Sequence, residues 1–160
     1  GEALSTLRKM LQGEKMQYTF ASHALNKQGA ANGILVGGNL SVLYSLLGSV
    51  SFPDTDGKIL FLEDLDEYLY HIDRMMVGLK RAGVLSNLAG LVVGGMSDMK
   101  DNTVPFGKTA EEIILEAVKE YKYPVCFNFP AGHIEQNMAL FLGKKARLII
   151  SAKKVSLNYL

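Results

Sequence analysis

The chain has one cysteine and no tryptophan among its 160 residues, and no apolar run near the length of a membrane span. The lone Cys126 excludes an internal disulfide and any cysteine-based metal cluster. It lies in the run Val125-Cys126-Phe127, a setting that suits a buried, inert thiol. A spanning helix needs about 20 consecutive apolar residues, so no membrane segment is expected. Charge of one sign is also missing: 17 basic residues stand against 16 acidic ones. The basic residues are scattered, and the densest groups, Lys144-Lys145 with Arg147 and Lys153-Lys154, read as solvated strand flanks. Neither nucleic acid nor an anionic membrane is predicted as a partner. The phosphate-loop pattern and a full GxGxxG are absent, and the acids between Met96 and Gly107 lack calcium-loop spacing. No metal or cofactor is implied. There is no internal repeat and no low-complexity segment.

What is present suits a globular domain with a real core: 48% hydrophobic and 21% charged residues. Leu4, Leu7 and Leu11 fall at helical spacing and predict a short amphipathic helix ending at Gly13; no signal peptide is visible there. Gln17 to Phe20 reads as a strand, His23 to Asn32 as a loop with a solvated His23, and Gly33 to Val36 as a second strand. Asn39 is a good N-cap for a helix over residues 40–47. The glycines before it, Gly37 and Gly38, suit a tight turn and close packing better than an anion site. Leu91 to Val93 and Pro124 to Phe129 are further strands. Thr109 and Glu112 form a capping box for a helix over residues 110–121. Ala146 to Ser151 and Val155 to Tyr159 make a closing hairpin. The strands and helices do not alternate regularly, so the fold class is α/β with a mixed sheet and packed helices.

Two stretches carry candidate chemistry. In Lys58 to Arg74, KILFLEDLDEYLYHIDR, a buried apolar strand stops at Glu63 and Asp64. A helix follows, with Leu69, Ile72, Met76 and Leu79 on one face and Tyr70 and His71 off it, running to about Arg81. Strand ends are where α/β proteins often place working residues; the plainer alternative is that both acids cap the coming helix and solvate the strand end. His133 follows another strand and a Pro-Ala-Gly turn. A carboxylate bonded to an imidazole fixes its tautomer and stabilises the imidazolium, which supplies two-thirds of a hydrolytic triad.

These stretches resemble the C-terminal domain of the serine LD-carboxypeptidases, the murein tetrapeptide carboxypeptidases that include the microcin C self-immunity peptidases. The resemblance rests on ILFLED with E-x-x-Y-x-I-D-R-M at Glu67 to Met75, on GGNLSVL at Gly37 to Leu43, and on P-x-G-H-x-x-x-N-x-x-L-x-L-G at Pro130 to Gly143. It covers about residues 30 to 150. It implies a swivelling β/β/α fold and a serine, glutamate and histidine in that chain order, with Glu63 and His133 at the last two positions. The family's serine sits on an elbow in a preceding N-terminal domain. No such elbow occurs here: Ser41 and Ser45 lie on a helix, and Ser5, Ser22, Ser49 and Ser51 lack a strand-turn-helix setting.

Residues 1–14 are therefore read as a linker helix from a missing N-terminal domain, and residues 15–160 as the C-terminal domain. The resemblance implies a cytoplasmic enzyme of peptidoglycan recycling, frequently a homodimer, that releases D-alanine from a muropeptide tetrapeptide substrate. Its partner would be its own serine-bearing domain, and the fragment alone would be inactive. Two alternatives remain open. One is a peptidyl-nucleotide antibiotic as substrate, for which an aromatic over the nucleobase would have to be Tyr or Phe, tryptophan being absent. The other is a non-catalytic module that binds peptide or another subunit.

Overall fold

A computed structural model describes all residues, 1–160. In chain order the elements are α1 (Glu2–Leu11), β1 (Gln17–Ala21), β2 (Gly29–Asn39), α2 (Leu40–Ser45), β3 (Ile59–Leu65), α3 (Leu69–Arg81), β4 (Gly90–Ser97), α4 (Ala110–Val118), β5 (Val125–Cys126), β6 (Lys145–Ile150) and β7 (Lys154–Tyr159). The seven strands form one sheet in the order β1-β7-β6-β2-β3-β4-β5. From β2 to β5 neighbours are parallel; from β2 back to β1 they are antiparallel. The mixed sheet anticipated above is the one observed.

β2 joins the two halves. Gly29 to Ile34 pair antiparallel with β6, and Leu35 to Asn39 pair parallel with β3. The first half of β2 falls where the sequence suggests a loop. Gly29-Ala30-Ala31-Asn32 has no apolar alternation, and the ladder to β6 supplies the order that side-chain pattern does not. Gly37 lies at φ +129°, and a Cβ there would meet the Phe61 carbonyl oxygen at 2.0 Å. Close strand approach, not an anion site, accounts for this glycine.

Successive side chains of a strand face opposite ways, and β3 uses both faces. Leu60 and Leu62 pack with Ile72, Met75, Met76 and Leu79 of α3 and Ile113, Ile114 and Val118 of α4. Ile59 and Phe61 pack instead with Val92, Cys126 and Phe129 and with Ala146, Leu148, Val155 and Leu157 of the antiparallel strands. Helices, parallel strands and antiparallel strands thus enclose two apolar cores. Cys126 is fully buried, and burial pushes its thiol up to about 12, so it is inert.

Caps and boundaries follow local chemistry. Asn39 accepts from Val42 N–H, and Thr109 with Glu112 closes the capping box. Several expectations shift. α4 stops at Val118 rather than Tyr121, and β5 is only two residues long, because Asn128 adopts φ +57° and turns the chain. His23 is not a solvated loop residue: its Nδ1 accepts from Leu25 N–H, and its ring lies 5.7 Å from that of Phe127. In α1 the leucines face outward, with Leu4 70% and Leu11 81% exposed, while Thr6 and Met10 are buried.

Candidate active site

Glu63 and Asp64 lie inside β3, not beyond its end, where the pairing with β4 shifts register between Leu62 and Asp64. Both carboxylates are buried, at 5% and 2% exposure, and a buried carboxylate is costly unless hydrogen-bonded. They divide the available donors. Asp64 accepts from Asn39 Nδ2 at 3.0 Å, from Ser41 N–H at 2.9 Å and from Leu65 N–H at 2.8 Å. It therefore anchors the N-terminus of α2, the helix before it, rather than capping the one after it.

Glu63 faces the other way, on the side of Ile59 and Phe61. Its Oε2 accepts from His133 Nδ1 at 2.7 Å and from the His133 backbone N–H at 3.1 Å. Its Oε1 accepts from Asn39 Nδ2 at 3.3 Å. Because an ionised carboxylate only accepts, His133 Nδ1 carries the proton in this bond, and the neutral ring keeps its lone pair on Nε2. Nε2 makes no hydrogen bond within the chain, and the His133 side chain is 53% exposed. The arrangement is a buried, hydrogen-bonded carboxylate holding a half-exposed imidazole whose Nε2 is not engaged by the chain.

The approach of the two residues depends on Gly132. It lies at φ +108°, and a Cβ there would stand 2.8 Å from both Cβ and Oε2 of Glu63. Any side chain would push the histidine loop off the carboxylate.

The hydrogen bond from Glu63 raises the His133 pKa above its ordinary 6.5, with the charge of Glu63 and, less, that of Asp64 acting in the same direction against burial. The folded chain therefore holds the imidazole proton more tightly than a free histidine does. The pair contributes stability below pH 6.5 that is lost as pH rises through the folded-state value. In an NMR titration of the chain, His133 is expected to have its midpoint above 6.5, and Glu63→Gln to bring it down toward 6.5. An unchanged midpoint in that variant would show that Glu63 does not govern the ring.

Sequence reading pointed to Glu63 and His133, and the fold places them in contact. It assigned Asn39 only a capping role, yet its amide also bridges both carboxylates; its place in the GGNLSVL motif was the available signal. The serines are accounted for differently from a nucleophile. Ser41 Oγ donates to Asn39 Oδ1 at 2.7 Å, and Ser97 Oγ donates to the His133 carbonyl at 2.7 Å, not to its ring. Glu67 pairs with His71 Nδ1 at 2.8 Å, one turn along the chain. Next to the site, Gly37, Asn39, Val42, Leu46 and Leu142 line a largely apolar groove of about 420 Å³.

Residues 32–148 match the family described as LD-carboxypeptidase C-terminal domain. The chain belongs to that family. It is 34% identical over 155 residues to a probable murein peptide carboxypeptidase of Bacillus subtilis, covering 93% of this chain and 47% of that protein. A putative carboxypeptidase of Synechocystis is 36% identical over 146 residues, covering 91% of this chain and 48% of that protein. The crystal structure of a muramoyltetrapeptide carboxypeptidase from Oxalobacter formigenes superposes with a TM-score of 0.89 at 28% identity, over 98% of this chain and 53% of that one. The microcin C7 self-immunity protein of Escherichia coli is 27% identical over 131 residues, covering 81% of this chain and 38% of that protein. The LD-carboxypeptidase-family chain spans about half the length of the carboxypeptidase relatives it matches.

Proposed function

We propose that this chain is the glutamate- and histidine-bearing half of a serine carboxypeptidase that releases terminal D-alanine from a muropeptide tetrapeptide. The reading is carried by the Glu63–His133 bond at Nδ1, which leaves Nε2 of a half-exposed ring without a partner in the chain. The nucleophilic serine resides on an N-terminal domain, in line with the relatives' greater length. The outward Leu4, Leu7 and Leu11 edge of α1 suits a linker helix packed against that domain.

In the reaction, His133 Nε2 takes the proton of the serine hydroxyl as the serine oxygen attacks the scissile carbonyl. Glu63 stabilises the resulting imidazolium without taking its proton. The imidazolium then protonates the departing amine of D-alanine, and a water activated the same way hydrolyses the acyl-enzyme. No metal takes part in this scheme. The enzyme acts in the cytoplasm, on peptides returned from the wall, as a homodimer. No helix of the chain is long and apolar enough to cross a membrane.

The test is an assay of the full-length protein on a murein tetrapeptide and on a peptidyl-nucleotide of the microcin C type. Release of D-alanine with a kcat/KM in the ordinary enzymatic range, about 10⁴ M⁻¹s⁻¹ or above, is expected from the first. Turnover of the second alone would reassign the substrate, and turnover of neither would sink the catalytic reading.

A further inference from the structure

His133 sits in a loop, yet its backbone is hydrogen-bonded as completely as that of an interior strand. Every main-chain polar group of the Gly132–His133 dipeptide has a partner. Gly132 N–H donates to Asn137 Oδ1 at 3.0 Å, and the Gly132 carbonyl accepts from Ile134 N–H at 2.9 Å. His133 N–H donates to Glu63 at 3.1 Å, and the His133 carbonyl accepts from Ser97 Oγ at 2.7 Å. Three of the four partners are side chains from different places: the middle of β3, the end of β4 and the far side of the loop itself.

A loop of this kind is held by side chains because it lacks a ladder. Backbone groups without partners would leave it free to rotate about its glycine. Asn137 and Ser97 grip the dipeptide on its two sides, one at the amide entering Gly132 and the other at the carbonyl leaving His133. Met138 N–H, donating to the Pro130 carbonyl at 2.8 Å, brings Asn137 back over the turn. Ser97 ends β4, which is anchored in both cores.

We infer that Ser97 and Asn137 are positioning residues that aim the His133 imidazole by clamping its backbone, touching neither its ring nor the substrate. The inference rests on the reading of Glu63 and His133 as the working pair. It adds two residues that act through the main chain, one of which, Asn137, falls in the Pro130 to Gly143 motif with no chemistry of its own.

The test uses Ser97→Ala, Asn137→Ala, their combination, and the conservative Ser97→Thr and Asn137→Asp, which keep the hydroxyl donor and the side-chain acceptor. In the full-length enzyme each alanine variant is expected to lower kcat by about 5- to 10-fold, as for one lost hydrogen bond. The pair is expected to lower it by about 10²-fold, the cost of a misplaced catalytic group, with KM little changed. The conservative variants should recover most of the loss. In the 160-residue chain, NMR titration of the double alanine variant should move the His133 midpoint toward 6.5 as the ring loosens from Glu63. That midpoint does not depend on turnover, so a failed assignment of activity and a failed clamp give different results. A folded double variant with the parent's His133 midpoint, or conservative variants as impaired as the alanine ones, would overturn the inference. If the double variant does not fold, the single variants decide by the same two criteria.

Discussion

His133→Ala in the full-length enzyme is expected to lower kcat/KM by about 10⁴-fold or more, and Glu63→Ala by about 10⁴-fold. The two losses should not add, because each variant removes the same concerted proton transfer. In the proposed mechanism, loss of the imidazole removes the base that serves the serine. Without the carboxylate the ring loses the partner that sets its tautomer and holds it from Nδ1 and from its own backbone N–H. The double variant should therefore fall near His133→Ala alone. Stability should respond differently. His133 is half exposed, so its loss costs little, whereas Glu63→Ala leaves the Asn39 amide short of one acceptor in a buried setting. Steady-state assays beside thermal melts separate the two effects. Parent-like turnover by either variant would remove the pair from the mechanism.

Gly37→Ala is expected to be the most damaging single methyl addition in the parallel layer. The new Cβ would stand 2.0 Å from Phe61 O and 2.8 Å from Phe61 N. Those atoms belong to the backbone of β3, so no flexible side chain can yield; β2 and β3 must separate at the point where they lead to Asn39 and Glu63. Overpacking of this kind typically costs about 1–3 kcal/mol, and strained backbone adds about 1–3 kcal/mol. The sum, about 4 kcal/mol, is a large part of the roughly 5–15 kcal/mol that holds a domain together. Gly38→Ala is the internal comparison: at φ +153° it carries the backbone strain as well, but its Cβ would meet nothing within 4 Å. Denaturant melts of the two variants should differ by the overpacking alone, about 1–3 kcal/mol, and equal midpoints would show that β2 and β3 have more room than their register implies.

The parts of the fold that could be read from sequence were those where local chemistry and burial agree. The capping box at Thr109, the stripe of α3 and the apolar run of β3 each state their own structure. β2 did not, because Gly29 to Asn32 are ordered by a partner more than a hundred residues away, Leu148 facing Ala31. The leucines of α1 misled for a related reason. Their spacing predicts the helix correctly but not which side of it the domain buries; Met10 and Thr6 turn inward because the antiparallel core and the Ala139 amide are there to receive them. At the site, Glu63 and His133 were legible as residue types at strand ends. The roles of Asn39 at the two carboxylates and of Ser97 and Asn137 at the histidine loop were not, since they lie in hydrogen bonds that exist only once sheet and loop are folded. Asp64 shows the limit well: its identity suggested a cap, but only the fold reveals that it serves the helix behind it.

The way the chain ties off its histidine loop bears on its synthesis. The parallel strands are laid down consecutively with their helices between them, so that layer can assemble as it emerges from the ribosome. The segment behind His133 cannot be completed in step. Ala139 is held by Thr6 of α1 and Tyr18 of β1, and Phe141 N–H donates to Tyr159 OH of β7. β1 and β7, which supply these tyrosines, pair Gln17 with Asn158. Closing so long a loop is slow and comes late. A nascent polypeptide would thus bury its helical layer before the segment behind His133 is pinned. Pinning waits for β7, the last strand of this sheet to be synthesised.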